Sequence, residues 1–312
     1  MLIAIALILG GGTLLYFGGE WLVSGSSSFA LRRGFSKLTV GLTIVAFGTS
    51  APELFISSLA AIRDHTTIAI GNVIGSNIAN IGLILGVAAL VYPPQVSNLS
   101  VKFQVPFAII VTILFGSLAL TGELGRLDAL ILLIAFGIFI FYCLRTSKDN
   151  LADENRHEYS LLSSAAKEYL LIMLGLIGLA GGSELFVRGA VKIAILLHVS
   201  EFYIGLSLVA LGTSLPELAT SIIAATKKES EIVIGNIIGS CIFNILLVIG
   251  VVGLLKPIPQ PSVSFIFDLA VMLGLTVLLY PVLSTGRKLS RFEGLILLAI
   301  YAGYIIYITI RG

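Results

Sequence analysis

The chain has 312 residues, of which 57% are hydrophobic and 12% charged, with a mean hydropathy of +1.06. Soluble domains carry about 25% charged residues, so the polar surface needed to wrap a water-facing globule is missing. A net charge of +2, with no basic run and no aromatic–basic interleaving, gives nucleic acid no electrostatic footprint to bind.

Apolar segments near or beyond the roughly 20 residues that cross a bilayer fall at 2–30, 38–62, 66–92, 104–121, 127–144, 167–195, 202–226, 232–255, 265–283 and 292–310. Backbone inside lipid must satisfy its own hydrogen bonds, and these runs lack the period-2 alternation of barrel strands. The expectation is therefore an all-α membrane protein of ten transmembrane helices, with the lipid bilayer as its solvent. The first run, MLIAIALILGGG, has no basic region before it and no small-residue cleavage site, so it reads as the first membrane helix rather than a removed signal. One long polar stretch, RTSKDNLADENRHEYSLLSSAA at 145–166, splits the chain near its middle. Its charges balance and it is short, which fits a solvated linker better than a regulatory module. Cys143 and Cys241 are isolated in apolar segments and read as core packing, since neither belongs to a CxxC pair.

The chain repeats itself at an offset of 164 residues. Residues 38–62 match 202–226 at 13 of 25 positions, and 68–86 match 232–250 at 12 of 19. The repeat divides the chain into a first half at 1–144 (motif 41–86), the linker at 145–166, and a second half at 167–312 (motif 205–250). Each half holds five spans, and an odd number turns the second copy upside down. Two inverted five-helix repeats with a site at the midplane are the usual architecture of alternating-access transporters. With the N-terminus outside, the cytoplasmic segments hold 13 of the 19 basic residues. The positive-inside bias thus places both termini outside and the linker in the cytoplasm.

Glu53 and Glu217, related by the repeat, lie near the middle of apolar spans. A charge there costs at least about 2.5–3.5 kcal/mol, which makes such an acid a functional-site hypothesis. No Lys or Arg lies within the spans that carry or flank them, away from their boundaries, so the expected partner is a mobile cation. Each acid ends a G-T-S-x-P-E motif, at Gly48–Glu53 and Gly212–Glu217. Proline lacks the N–H that would close the helix, and glycine eases the break. The carbonyls of the turns Ala46–Thr49 and Ala210–Thr213 are therefore expected to be freed for an ion. In the companion G-N-x-x-G-S-x-x-x-N segments, Ser76 and Asn80 are four apart, as are Ser240 and Asn244, which puts hydroxyl and amide on one helix face. Gly71, Gly75, Gly235 and Gly239 have the small-xxx-small spacing of close helix approach. Asn72 and Asn236 read as interhelical hydrogen-bonders rather than ligands. A set made of oxygens suits Ca²⁺ or Na⁺ and disfavours zinc or copper.

The duplicated motifs GTSAPELF…GNVIGSNIANIG and GTSLPELA…GNIIGSCIFNIL closely resemble the alpha repeats of the calcium/cation antiporter superfamily, and prokaryotic sodium/calcium exchangers within it. The resemblance covers essentially the full chain. It implies exchange of Ca²⁺ for Na⁺ by alternating access, with those two ions as substrates, no cofactor, a monomer as functional unit, and residence in the plasma membrane. Carried over residue by residue, it implies that Glu53 and Glu217 bind both ions. It further implies that Ser50, Ser214, Ser76 and Ser240, with backbone oxygens of Ala46, Thr49, Ala210 and Thr213, complete the sodium sites, and that Asn80 and Asn244 line the centre. Many relatives place an aspartate where Asn244 stands. Proton-coupled relatives usually carry an acid in the second motif, soon after the G-N pair; here Val73 and Ile74, and Ile237 and Ile238, follow instead, so sodium is the implied counter-ion.

Glu20 and Glu184 form a second repeat-related pair, expected towards the interface and serving packing or gating. Glu123, Asp128, Asp268 and Glu293 fall at span ends and read as interfacial. His65, His157 and His198 sit in connecting segments. A proton/calcium exchanger would use the same scaffold. A channel would not need two inverted, separately broken helix pairs. An intramembrane enzyme would need a nucleophile, an oxyanion donor set or a cofactor motif, none of which is apparent.

Overall fold

A computed structural model describes residues 1–120, 122–146, 165–196, 210–259 and 263–311. The described residues are nearly all helical: α1 (Leu2–Arg33), α2 (Lys37–Thr49), α3 (Ala51–Ile62), α4 (Thr66–Val91), α5 (Ser100–Leu120), α6 (Arg126–Thr146), α7 (Ala165–Leu196), α8 (Ala210–Thr213), α9 (Leu215–Thr226), α10 (Ser230–Leu255), α11 (Val263–Ser284) and α12 (Arg291–Arg311). Eight of these are long and apolar enough to cross a membrane, and α2 with α3 forms a ninth span bent by 43°. The expected span at 202–226 is described from Ala210 onward, as α8 and α9. Its first part, and most of the linker, lie outside the described residues.

The repeat holds to the residue. Helix α3 and helix α9 each run 12 residues, at the 164 offset. The first 14-residue stretches of α4 and α10 end at Ala79 and Phe243. Each then widens into a π-helical stretch that opens on an asparagine, Asn80–Ile84 and Asn244–Ile249. The turns that join α3 to α4 and α9 to α10 place Asp64 and Lys228, again 164 apart, in the left-handed region at φ 65° and 60°. In each turn an N–H just beyond that residue closes on the helix end, His65 on the Ala60 carbonyl and Glu229 on the Ala224 carbonyl, both at 2.8 Å. Two short backbone bridges tie loops together, Gln95 with Lys288 and Leu124 with Ile258. Leu124 and Lys288 are repeat mates, so one bridge is an approximate copy of the other.

Helices α4 and α10 are the centre of the molecule, with 78% and 83% of their apolar windows buried against 22% for α6 and 17% for α12. Exposed Leu, Ile and Phe side chains such as Phe55, Leu127, Ile138 and Phe292 cover the outer helices, as expected where the surrounding solvent is hydrocarbon. Helices α1 and α7 lie antiparallel and in unusually close contact. Gly11, Gly18 and Gly25 recur every seven residues, and so do their mates Gly175, Gly182 and Gly189. A Cβ on Gly18 would stand 2.7 Å from the Leu179 nitrogen, and one on Gly182 would stand 2.8 Å from the Leu15 nitrogen. Small residues let backbones touch where hydrocarbon offers no hydrophobic drive to associate.

Candidate functional site

The break between α2 and α3 follows from Pro52, which has no N–H to give Gly48. Ser50 leaves helical geometry at φ −84°, ψ 6°, and Ser214 does the same at φ −90°, ψ 5° between α8 and α9. Glu53 and Glu217 then lie in the first turn of the helix that restarts, where free N–H groups favour negative charge. Both are wholly buried. Among the described residues neither meets a Lys, Arg or His side chain, as the sequence led us to expect. No cluster of three or more His, Cys, Asp or Glu occurs among them either, so the centre consists of two acids and neutral oxygens.

Each carboxylate is held by hydroxyls from both halves of the chain. Ser50 Oγ donates to Glu217 Oε1 at 3.0 Å, and Ser240 Oγ lies 3.5 Å from the same oxygen. Ser214 Oγ and Ser76 Oγ each stand 3.3 Å from Glu53 Oε1 and 3.2 Å from one another. The serine beside one break therefore serves the acid beside the other. Among the described residues the second oxygens, Glu53 Oε2 and Glu217 Oε2, have no hydrogen-bond partner, and the same holds for the oxygen and nitrogen of the Asn80 and Asn244 amides. Buried polar groups are nearly always hydrogen-bonded, and an unmade bond to a charged group costs several kcal/mol. Four side chains from the two repeats thus carry unpartnered polar atoms among the described residues, which makes them the candidate ligand-binding centre.

Around this centre the remaining polar residues satisfy one another. Asn72 donates to Ser57 Oγ at 3.0 Å and faces Thr213 Oγ1 at 3.3 Å. Asn236 donates to Ser221 Oγ at 3.0 Å and faces Thr49 Oγ1 at 3.0 Å. Both asparagines are interhelical ties, as their sequence reading has it, and each tie crosses between repeats. Thr49 Oγ1 also lies 3.1 Å from the Val45 carbonyl. The Ala46 carbonyl accepts the Ser50 N–H at 3.0 Å, and Thr49 Oγ1 also stands 3.3 Å from it. In the second copy the Leu211 carbonyl accepts the Ser214 N–H at 3.1 Å, and the Gly212 carbonyl left without a partner by Pro216 accepts Ser183 Oγ at 2.5 Å. Of Ala210 only the backbone is described.

The glycine expectation can be followed in the second copy. A Cβ at Gly235 would stand 2.8 Å from the Leu38 carbonyl, and one at Gly239 would stand 2.8 Å from the Leu42 carbonyl, so α10 packs hard against α2. Among the described residues nothing lies within 4 Å of such a Cβ at Gly71 or Gly75. The matching segment at 201–209 lies outside them. Cys143 and Cys241 are buried and free. Asp128 and Glu293 prove to be helix-start residues, accepting the Gly125 and Ser290 N–H groups at 2.9 and 2.7 Å. Asp268 pairs with Arg311 at 3.0 Å. His65 immediately precedes α4, while His157 and His198 lie outside the described residues. What the sequence reading missed is Ser183 and the α1–α7 glycine ladder. The ladder was legible, since its two rows of three glycines are themselves 164 residues apart.

Residues 3–145 and 167–310 match the family described as sodium/calcium exchanger protein. CaxA of Alkalimonas amylolytica is 39% identical over 97% of this chain and 98% of its own length. The sodium/calcium exchanger MaX1 of Methanosarcina acetivorans is 33% identical over 96% and 97%. The solved structure of the sodium-calcium exchanger NCX_Mj soaked with 10 mM Na⁺ and 10 mM Sr²⁺ superposes with a TM-score of 0.86 at 34% identity, covering 98% of both chains. A multi-pass helical fold, a duplicated G-T-S-x-P-E break facing itself across the core, and a match to both halves lead to one conclusion: the chain belongs to the sodium/calcium exchanger family, whose members are transporters and not enzymes.

Proposed function

We propose that this protein exchanges Ca²⁺ for Na⁺ across the plasma membrane by alternating access, with both termini outside and residues 145–166 in the cytoplasm. The observation that carries the reading is the pair of wholly buried carboxylates, Glu53 and Glu217, each with one oxygen bound by hydroxyls and the other unpartnered among the described residues. Residues 1–144 and 167–312 act as inverted halves, and the ions bind between them. Glu53 and Glu217 supply the charge. Ser50, Ser76, Ser214 and Ser240, the amides of Asn80 and Asn244, and backbone oxygens of Ala46, Thr49, Ala210 and Thr213 supply neutral ligands. Hard oxygens in this number suit both ions, and one monomer holds the whole set.

The charge count bears on coupling. Two glutamates carry −2, which one Ca²⁺ or two Na⁺ neutralise. Asn244 gives an oxygen but no third charge. A K⁺ held beside Ca²⁺ would be uncompensated in a low-dielectric site, so exchange should not need K⁺. A turnover that carries three Na⁺ would move net charge and be electrogenic. The absence of an acid after either G-N pair favours Na⁺ over H⁺. The test is Ca²⁺ flux into proteoliposomes of the full chain under imposed Na⁺, K⁺ or H⁺ gradients. Na⁺ should drive it, K⁺ removal from both sides should leave it unchanged, and a set membrane potential should alter its rate. A strict K⁺ requirement would refute the charge account, and flux driven by H⁺ alone would move the protein to the proton-coupled alternative.

A further inference from the structure

Two acid–base pairs that the repeat relates stand in different states. On α1, Glu20 meets Lys227 at the end of α9 at 2.6 Å, and Lys227 also donates to Ser24 Oγ at 2.7 Å. Adding 164 to Glu20 reaches Glu184, and subtracting 164 from Lys227 reaches Arg63 at the end of α3. The charges are kept and the contact is not. Glu184 instead pairs with Arg188 one turn along its own helix, at 2.5 Å and with both side chains well exposed. Arg63 is exposed and makes no ion pair among the described residues.

The difference continues inward. Leu22, Val23 and Ser26 of α1 are completely buried. Their mates on α7 are Phe186, Val187 and Ala190, and these line a cavity of ≈ 180 Å³ that reaches Ser214 at the candidate site. Helix α1 is thus packed down at one face of the molecule, while α7, which touches Gly212 through Ser183 and Val187, leaves a cavity beside Ser214 at the other. An exposed i,i+4 pair contributes little stability, so Glu184 can change partners at small cost.

We propose that Glu20–Lys227 and Glu184–Arg63 are the two halves of an alternating ionic latch: the first is closed in this structure, and Glu184 trades Arg188 for Arg63 when α7 closes over the cavity. This rests on the alternating-access reading above. The α1 end is also the stronger end. Arg32 pairs with the buried Glu168 at 2.8 Å there, and their mates are the uncharged Leu196 and Ala4. The latch therefore favours the state seen here, and salt, which screens exposed pairs, should weaken that preference.

The test uses the full chain in proteoliposomes and two readouts. In the first, Glu184→Cys with Arg63→Cys is oxidised in the presence and absence of Na⁺ and Ca²⁺. A disulfide is expected to form and to stop exchange, with recovery on reduction; no disulfide under any ion condition overturns the latch. This readout needs no flux. Wild-type protein that fails to exchange Ca²⁺ for Na⁺ while the disulfide still forms would sink the exchange reading and leave the latch standing. In the second, Glu184→Arg or Arg63→Glu alone should slow exchange about fivefold, the upper range for an exposed pair, and the double reversal should restore it to within about twofold. Unchanged flux in Glu184→Arg, or rescue by Arg188→Glu in place of Arg63→Glu, overturns the proposal, because the helix-local pair would then be the one that matters.

Discussion

At the scale of single residues the site is a problem of buried charge. Two carboxylates sit in a span with no cation among the described residues to pair with them, and serine hydroxyls occupy only one oxygen of each. Serine donates one proton and cannot neutralise a charge, which is why the proposed partner is a mobile ion. Glu53→Gln and Glu217→Gln keep the oxygen that the serines use and remove the charge. Breaking one partner out of a buried, hydrogen-bonded charge pair costs about 2–5 kcal/mol, or about 30- to 4,000-fold in ion affinity. We expect each variant to lose Ca²⁺ exchange by at least the lower figure while its melting temperature in detergent stays level or rises, because a neutral side chain is cheaper to bury. Near-normal flux in both variants would end the assignment. Asn72 and Asn236 are a contrasting case: their amides are fully engaged with serine and threonine on neighbouring helices, and they hold the broken helices in place.

At the scale of elements, the breaks and the glycine ladder do different work. Proline and glycine interrupt α2–α3 and α8–α9 just before the buried acids, and π-helical stretches open at Asn80 and Asn244, whose buried amides find no hydrogen-bond partner among the described residues. Single π-type distortions recur at functional positions. The ladder between α1 and α7 instead sets how closely two long helices run. The consequence can be measured with Gly18→Leu, where even the first side-chain atom would stand 2.7 Å from backbone. Overpacking of this kind costs about 1–3 kcal/mol and often more against backbone. The melting temperature should fall, whereas Gly12→Ala, where nothing lies within 4 Å, should leave it unchanged or raise it through the better helix propensity of alanine. Equal melting temperatures for Gly18→Leu and wild type would show that the helices separate freely and that the ladder is not a constraint.

At the scale of the whole molecule, the repeat determines which features come in pairs and the bilayer determines which way up they stand. The orientation rests on 13 of 19 basic residues falling to one side, a bias of the kind that sets topology in short loops. A cysteine placed at Asp153 should resist an impermeant thiol reagent in intact cells, and one added after Gly312 should react. The opposite pattern would invert the protein and leave its site as described.

How much of this was legible beforehand depended on whether the physics was local. The broken helices, the two unpaired acids, the all-oxygen donor set and the two-fold repeat all follow from the sequence, because proline chemistry, charge burial and periodicity act within a few residues or recur at a constant offset. The cross-over by which Ser50 serves Glu217 while Ser214 serves Glu53 was not legible. It depends on which helices become neighbours, and spacing along the chain does not state that. A repeat read from sequence is also symmetric by construction, so Glu20 and Glu184 look alike on paper. Only the tertiary packing sets them apart: Glu20 reaches across to Lys227 at the end of α9, while Glu184 stays with Arg188 on its own helix, because how helices pack decides which partner a charge meets.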